Sequence, residues 1–541
     1  MHKWERNSPA DDLDRHVIAL PQLPSPTFVP LTRNVAVRAA LASAALLVGP
    51  VGGARAFGFD DVAERARALA SRPYATVSAA LPEELKSLGY DGYRGIRFDP
   101  KKAFWRDRAL PFELQFFHRA NLHTQQLAIH EIAGGAVRRI AFDARDFDYG
   151  TTGLSPQRWG DLGFAGLRVH YALNTPSYKD ELVAFLDATY FRALGQGQRY
   201  GMSARAIAID TIGAQGEEFP RFVEFWVQRP APGARSLVIH ALLDSPRAAG
   251  AYRFTFKPGQ DTVVDVQARL YLRAAVTTLG LAPLTSMFLH GANQPHAGDF
   301  RPQVHDSDGL MMALGDGAGG AEWLWRPLIN PAQPLVTSFA ARELKGFGLM
   351  QRERRFSSYE DTEARYELRP SCWIAPQGRW GPGRLELVQL PTANEANDNI
   401  VAYWVPDRIP EAGRPLDVAY RMHWQGDHQQ RPPAGWAVQS RLGHGLANGK
   451  VDPREVQYVV DFDGPALRGL AADAAVKAVV TAGTNAQVVE ANAYRNPANG
   501  DWRMTVRVNR LQSSQPVELR AFLQHGNRAL TETWTTIIPS G

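Results

Sequence analysis

The feature that most restricts the fold of this chain is a side-chain period of two. Over residues 264–273, Val264, Val266, Ala268, Leu270 and Leu272 alternate with Asp265, Gln267, Arg269, Tyr271 and Arg273. Successive side chains of an extended chain point to opposite faces, so this spacing lays one row on a core and the other on the opposite face. Residues 221–228, 236–243, 251–256 and 383–389 read the same way. Helical signal is sparse. Residues 60–71 begin at an Asp cap and continue in Ala, Leu and Arg, and residues 82–86 predict a second, short helix. Residues 180–194 have mixed period and are expected as an exposed helix or an irregular crossover. Many strands punctuated by Gly and Pro predict an all-β protein built on a large antiparallel β-sandwich.

The pattern breaks after Trp424. Residues 425–435 are polar, contain Pro432 and Pro433 and lack a hydrophobic period, which is the composition of a linker. Beyond it, strand-like segments recur at 457–462, 475–481, 503–508, 517–523 and 532–537. That spacing predicts a smaller immunoglobulin-like β-sandwich over 436–541, without the Cys…Trp…Cys hallmark of antibody domains. At the other end, Arg33 and Arg38 precede an apolar run over 39–48 that is too short to span a bilayer stably. Ala54-Arg55-Ala56 then forms an A-x-A pattern before Phe57. The expectation is a leader over 1–56 with a cleavable export signal cut near Ala56, a periplasmic mature protein, and a main sandwich over 57–424.

Charge and cysteine usage exclude several function classes. Lys+Arg 60 against Asp+Glu 55 gives a net charge of +5, mixed along the chain with no Lys-rich tail, which argues against nucleic acid as a partner. Cys372 is the sole cysteine, so an intrachain disulfide and a multi-cysteine metal site are both excluded. There is no His-Glu-x-x-His, and no Gly-x-Ser-x-Gly elbow in the body of the chain. The glycine-rich stretch 315–320 lacks the Gly-Lys-Ser/Thr ending of a phosphate loop. Neither a metal nor a cofactor is expected.

The residues with chemical potential lie between Met287 and Trp404. His305-Asp306-Ser307-Asp308-Gly309 and Asn397-Asp398-Asn399 are interleaved with Trp323, Trp325, Trp373, Trp380 and Trp404. Aromatic faces cover the C–H side of sugars, while carboxylates and amides bind the hydroxyl rim and move protons. Asp306 and Asp398 are the pair to choose, 398 − 306 = 92 positions apart, so only a folded β-domain brings them together. Each also suits a turn, Asp308 is a near substitute for Asp306, and His305 either orients its Asp or is simply hydrogen-bonded structure. Trp323, Trp325, Trp373 and Trp380 are candidate sugar platforms, of which at least two should be packing, since Trp323 and Trp325 share a strand face. Arg326, Arg352, Arg369, Tyr359, Tyr366 and Asn397 are the candidate hydroxyl-binding side chains.

Seven stretches carry a resemblance to a known family. They are Leu281-Ala282-Pro283-Leu284-Thr285-Ser286-Met287, Asn293-Gln294-Pro295, Arg301-Pro302-Gln303-Val304-His305-Asp306-Ser307 and Glu322-Trp323-Leu324-Trp325-Arg326-Pro327-Leu328, followed by Gly346-Phe347-Gly348-Leu349-Met350-Gln351-Arg352, Tyr366-Glu367-Leu368-Arg369-Pro370-Ser371 and Asp398-Asn399-Ile400-Val401-Ala402-Tyr403-Trp404. In this order they resemble the osmoregulated periplasmic glucan biosynthesis proteins G and D, over about residues 57–541. The resemblance implies a galactose-mutarotase-like N-terminal sandwich and an immunoglobulin-like C-terminal one. It further implies control of the backbone of periplasmic glucans, through an anomer-inverting endo-glucanase or transglycosylase acting on β-1,2-glucan. Asp398 would be the acid and Asp306 the base, with residues 352–365 as a mobile loop over the cleft. The resemblance to the protein D relatives allows a homodimer, while the sequence itself leaves the oligomeric state open. Those relatives usually carry twin arginines, whereas Arg33 and Arg38 are not adjacent, which leaves the export route open. The rival reading is a non-catalytic glucan-binding scaffold that assists a membrane glucosyltransferase.

Overall fold

Two large sheets packed face to face carry the fold of the computed structural model, which describes residues 56–540 apart from 77–79, 214–215, 445, 448–449 and 453. The apolar run over 39–48 and the arginines before it lie outside the described residues. One sheet has ten strands and runs from Phe112–Phe117 at one edge, through Leu279–Ser286 and Ile400–Pro406, to Leu335–Ala341 at the other. The second has fifteen strands, and its central members include Thr262–Leu272 paired antiparallel with Pro415–Gln425. The period-two pattern holds in that pair: Val264, Val266, Ala268 and Leu270 are buried in the main core with Met422 and Tyr420 beside them. Across the sandwich, the Phe185 ring lies 5.1 Å from Phe225 and 5.4 Å from Phe254 (centroids), and Phe191 lies 5.3 Å from Phe254. Each such ring taken fully out of water is worth about 1.5–3 kcal/mol, so this aromatic layer is a substantial contributor to the first core.

The helix predicted over 60–71 forms as Phe59–Ala70. Val62, Ala63 and Ala66 fall on one face at helical spacing and cover Trp226, Leu242 and Ala251 on the outer side of the large sheet. The second forms as Glu83–Lys86. Residues 180–194 depart from expectation: they make the strands Tyr178–Leu186 and Phe191–Ala193, joined by a turn in which Asp187 and Ala188 have positive φ. Most of the second half of the first strand is buried on both faces, so alternation is erased there. Pairing of Leu167 with Phe185 and of Val169 with Val183 overrides the helix propensity of Glu, Leu and Ala.

The C-terminal strands form a second sandwich. Its four-stranded sheet contains Trp436–Gly443, Glu455–Asp463, Trp502–Arg510 and Ala486–Arg495. Its other layer, Val476–Ala482, Val517–His525 and Thr533–Ile538, is an extension of the fifteen-stranded sheet, because Thr533–Ile538 pairs parallel with Ala321–Pro327. Gly309–Gly315 is consequently buried on both faces. Leu310 and Met312 enter the first core, while Met311 and Ala313 enter the second. The described residues from Phe57 onward thus belong to one compact unit.

A buried ion pair fastens the junction. Arg352 Nη1 and Nη2 donate to the two carboxylate oxygens of Glu532 at 2.6 and 3.0 Å, and the side chains are 2% and 0% exposed. Glu532 also accepts from the Ala437 N–H at 2.9 Å, and the Arg352 guanidinium lies 3.6 Å above the Trp325 ring. Segment 425–435 is tied in as well, with Gln429 donating to the Gln351 carbonyl and accepting from the Ser371 hydroxyl.

Candidate functional site

Asp306 and Asp398 come together because both neighbourhoods are bonded to the same three residues at the end of strand Leu279–Ser286. The Asp306 N–H donates to the Met287 carbonyl at 2.8 Å, and the Asn399 N–H donates to the Ser286 carbonyl at 3.1 Å. Asn399 adds a two-way amide contact with Phe288, accepting from its N–H at 2.9 Å and donating to its carbonyl at 3.0 Å. The Ser286 and Ser307 hydroxyls bond at 2.9 Å. Asn399 is thus fully used as a strut and buried, while the side chain of its neighbour Asp398 is 20% exposed.

The two carboxyls stand in different electrostatic settings. Asp306 is 6% exposed and ion-paired with Arg369, whose guanidinium also lies 4.2 Å over the Tyr366 ring. Among the described residues the ion contact of Asp398 is a long one, 4.0 Å to Arg192. Burial pushes the Asp398 carboxyl above the usual carboxylate range and the nearby charge of Asp306 pushes it further, against the opposing pull of Arg192 and Arg369. One carboxyl in an ion pair beside another biased toward its protonated form is a division of labour suited to acid–base chemistry.

Comparison with known proteins gives the family. The family described as periplasmic glucan biosynthesis protein, MdoG, matches residues 57–538. The chain belongs to that family. It is 51% identical over 506 residues to the glucans biosynthesis protein G of Ralstonia nicotianae, covering 93% of this chain and 100% of the relative. It is 46% identical to the protein of the same name from Pectobacterium atrosepticum, covering 90% of this chain and 94% of the relative. With that from Pseudomonas paraeruginosa the identity is 47%, covering 90% and 93%.

The other sequence candidates of this family member divide by location. Arg369 and Tyr366 adjoin Asp306, and Asn397 is exposed beside Asp398. Trp325 and Arg326 lie instead beneath the C-terminal sandwich, Trp325 in its core and Arg326 bonded to Glu518. Trp323 and Trp373 stack on each other at 5.7 Å and 15°, packed against that same core. A Cβ on Gly309 would run into the Trp325 ring and one on Gly346 into Trp373, so both indoles lie flat across glycines of adjacent strands. Trp404 is buried in the first core. Trp380 packs edge-on against Tyr420 and donates to the Ala419 carbonyl. It lies beyond Pro376, five residues along its strand from Ser371, which is roughly 17 Å from the Arg369 end.

The 352–365 segment is anchored rather than draped. Tyr359 is buried and its hydroxyl donates to the Glu353 carbonyl, so it braces the loop and offers nothing to a ligand. Arg352 is consumed at the junction, and Arg354 donates to the Glu367 and Arg369 carbonyls. Asp308 accepts the Arg352 and Glu353 N–H groups, both at 2.9 Å, which makes it a cap for this loop. Burial pushes the Asp308 carboxyl up to about 6, against those bonds and the Arg352 charge. His305 does not orient Asp306. Its ring nitrogens face Gln351 and Gln303, it stacks on Phe288 at 5.3 Å, and burial pushes it down to about 3.

Sequence reasoning missed two arginines. Arg192 was hidden in the segment expected to be helical, where no strand face could be assigned to it. Arg301 contacts Asp299, Asp361 and Glu395 on three separate segments. No local pattern announces such a convergence. A separate groove of about 450 Å³ at the sandwich junction is lined by charged and polar side chains such as Arg354, Arg355, Asp427, Gln439 and Asp501. It has no aromatic lining and is poorly suited to a sugar face.

Proposed function

We propose that this protein cleaves the backbone of β-1,2-linked glucan with inversion at the anomeric carbon, acting in the periplasm after export on a cleavable signal. The observation that carries the reading is the tethering of Asp306 and of Asn399, the residue next to Asp398, to one tripeptide, with the two aspartate carboxyls in unlike electrostatic settings. Asp398 donates its proton to the glycosidic oxygen as the bond to the leaving sugar breaks. Asp306 accepts the proton of the attacking water on the opposite face of the ring. Because Asp306 is only 6% exposed, that proton reaches it through an intervening hydroxyl or water. Arg369 fixes the Asp306 carboxylate, the buried Tyr366 ring supports the Arg369 guanidinium, and the exposed Asn397 borders the sugar-binding region. If an acceptor hydroxyl replaces water in the attacking position, the same two groups perform transglycosylation.

The test is product analysis on linear β-1,2-glucan, by mass and by anomeric configuration. Shorter chains with inverted reducing ends, abolished by Asp398→Asn and by Asp306→Asn, are the expected result. Binding without cleavage would support instead a scaffold serving a membrane glucosyltransferase, and ring-closed or branched products would support transfer.

A further inference from the structure

A glucan cleft needs an exposed aromatic face, yet Trp325, Trp373 and Trp404 are buried and Trp323 is stacked on Trp373. Phe300, by contrast, is 78% exposed, the most exposed large hydrophobic among the described residues. A single apolar side chain on a surface is ordinarily unremarked. Phe300 is distinguished by what holds it. Its neighbours bond to each other across it: the Arg301 N–H and Nε donate to Asp299 Oδ1 at 3.0 and 3.1 Å, and Arg301 Nη2 donates to Asp299 Oδ2 at 2.8 Å. That closed turn pushes the intervening side chain outward.

The same guanidinium ties the turn to both loops beside the candidate site. Arg301 Nη1 donates to Asp361 at 3.1 Å, in the 352–365 segment, and to Glu395 at 2.6 Å, three residues before Asp398. The Glu395 charge is felt at Arg369 and Tyr366, the groups beside Asp306. Arg301 also lies 5.9 Å from the Phe300 ring centroid, a cation–π approach that restrains the ring. An exposed ring is therefore fixed at the margin of the Asp306/Asp398 site rather than swinging on a free loop.

We propose that Phe300 is the outer sugar platform of this site, stacking on the C–H face of a glucose unit of the bound glucan, with Arg301 as its brace. The proposal rests on the glucan-cleaving reading above and adds the residue that holds the chain beyond the reacting bond. Binding is measured by calorimetry with a linear β-1,2-gluco-oligosaccharide in the Asp398→Asn background, so that turnover does not intervene. Adding Phe300→Ala is expected to weaken affinity by about tenfold, and adding Phe300→Trp to restore it. The thermal melt should not move, because the ring is exposed. Equal affinity of the Phe300→Ala protein, or failure of Phe300→Trp to restore binding, overturns the platform and leaves the catalytic reading intact. Absence of binding by the Asp398→Asn protein itself overturns both.

Discussion

Removing the Glu532 carboxylate should loosen the sandwich junction more than any single surface change. In Glu532→Ala, Arg352 keeps its position 2% exposed but loses both charge-assisted bonds, and the Ala437 N–H loses its acceptor. An uncompensated buried charge costs about 3–5 kcal/mol. An orphaned buried N–H costs about 1–3 kcal/mol, although the two are not additive and the Ala437 carbonyl still accepts from Arg352. The expected loss is therefore about 3–5 kcal/mol, a large part of the total for a typical domain. Urea titration followed by tryptophan fluorescence reads it directly, since Trp325 and Trp534 sit in the shared core. Glu532→Gln should fall between the two, because its amide oxygen can still accept from Ala437. The double variant Arg352→Met/Glu532→Leu should recover much of the loss, since neither charge remains to be desolvated. A Glu532→Ala protein within about 1 kcal/mol of the parent, or a double variant no better than the single, would refute the assignment of the buried pair as the junction lock.

Three further outcomes follow from the geometry. Arg192 opposes the rise of the Asp398 carboxyl, so Arg192→Met should raise that group further and shift the alkaline limb of kcat/KM to higher pH, read from a pH–rate profile on glucan. Asp308 is pushed up to about 6 in the fold, above its unfolded value, so the folded state holds its proton more tightly. Its contribution is favourable at low pH and is lost as pH rises through about 6, and a tenfold tighter hold on the proton is worth about 1.4 kcal/mol. Asp308→Asn should flatten the fall in stability between pH 4 and pH 6, measured by urea midpoints, with the side-chain oxygen still accepting the Arg352 and Glu353 N–H groups. Trp325→Ala should cost about 3–5 kcal/mol through the cavity left in the second core, while glucan affinity measured on the folded protein stays unchanged.

Strand positions were legible where side chains alternate and turn residues mark the ends. Residues 221–228 and 383–389 form strands with those same limits, and 264–273 differs by one or two residues at its ends. Legibility failed over residues 180–194, where the sequence has no clear period. From Leu182 to Leu186 alternation is erased because both sides of the strand are largely covered, and Arg192 in the next strand went unnoticed with it. The tryptophans failed for a related reason. Period two placed Trp323 and Trp325 on one face correctly, but nothing local says whether that face meets a ligand or a second sandwich.

Local chemistry alone determined that this chain would be a β-protein, because alternation and turn residues act over a few positions and need no knowledge of distant segments. The seven stretches that resemble known glucan biosynthesis proteins likewise identified the family that matches residues 57–538. What the tertiary structure alone decided is which residues meet. Asp306 and Asp398 converge through the backbone of Ser286, Met287 and Phe288, and Arg301 gathers carboxylates from three loops. Backbone hydrogen bonds and ion pairs between segments dozens of residues apart form only once the sheets fix their register, and that information resides in the packed whole.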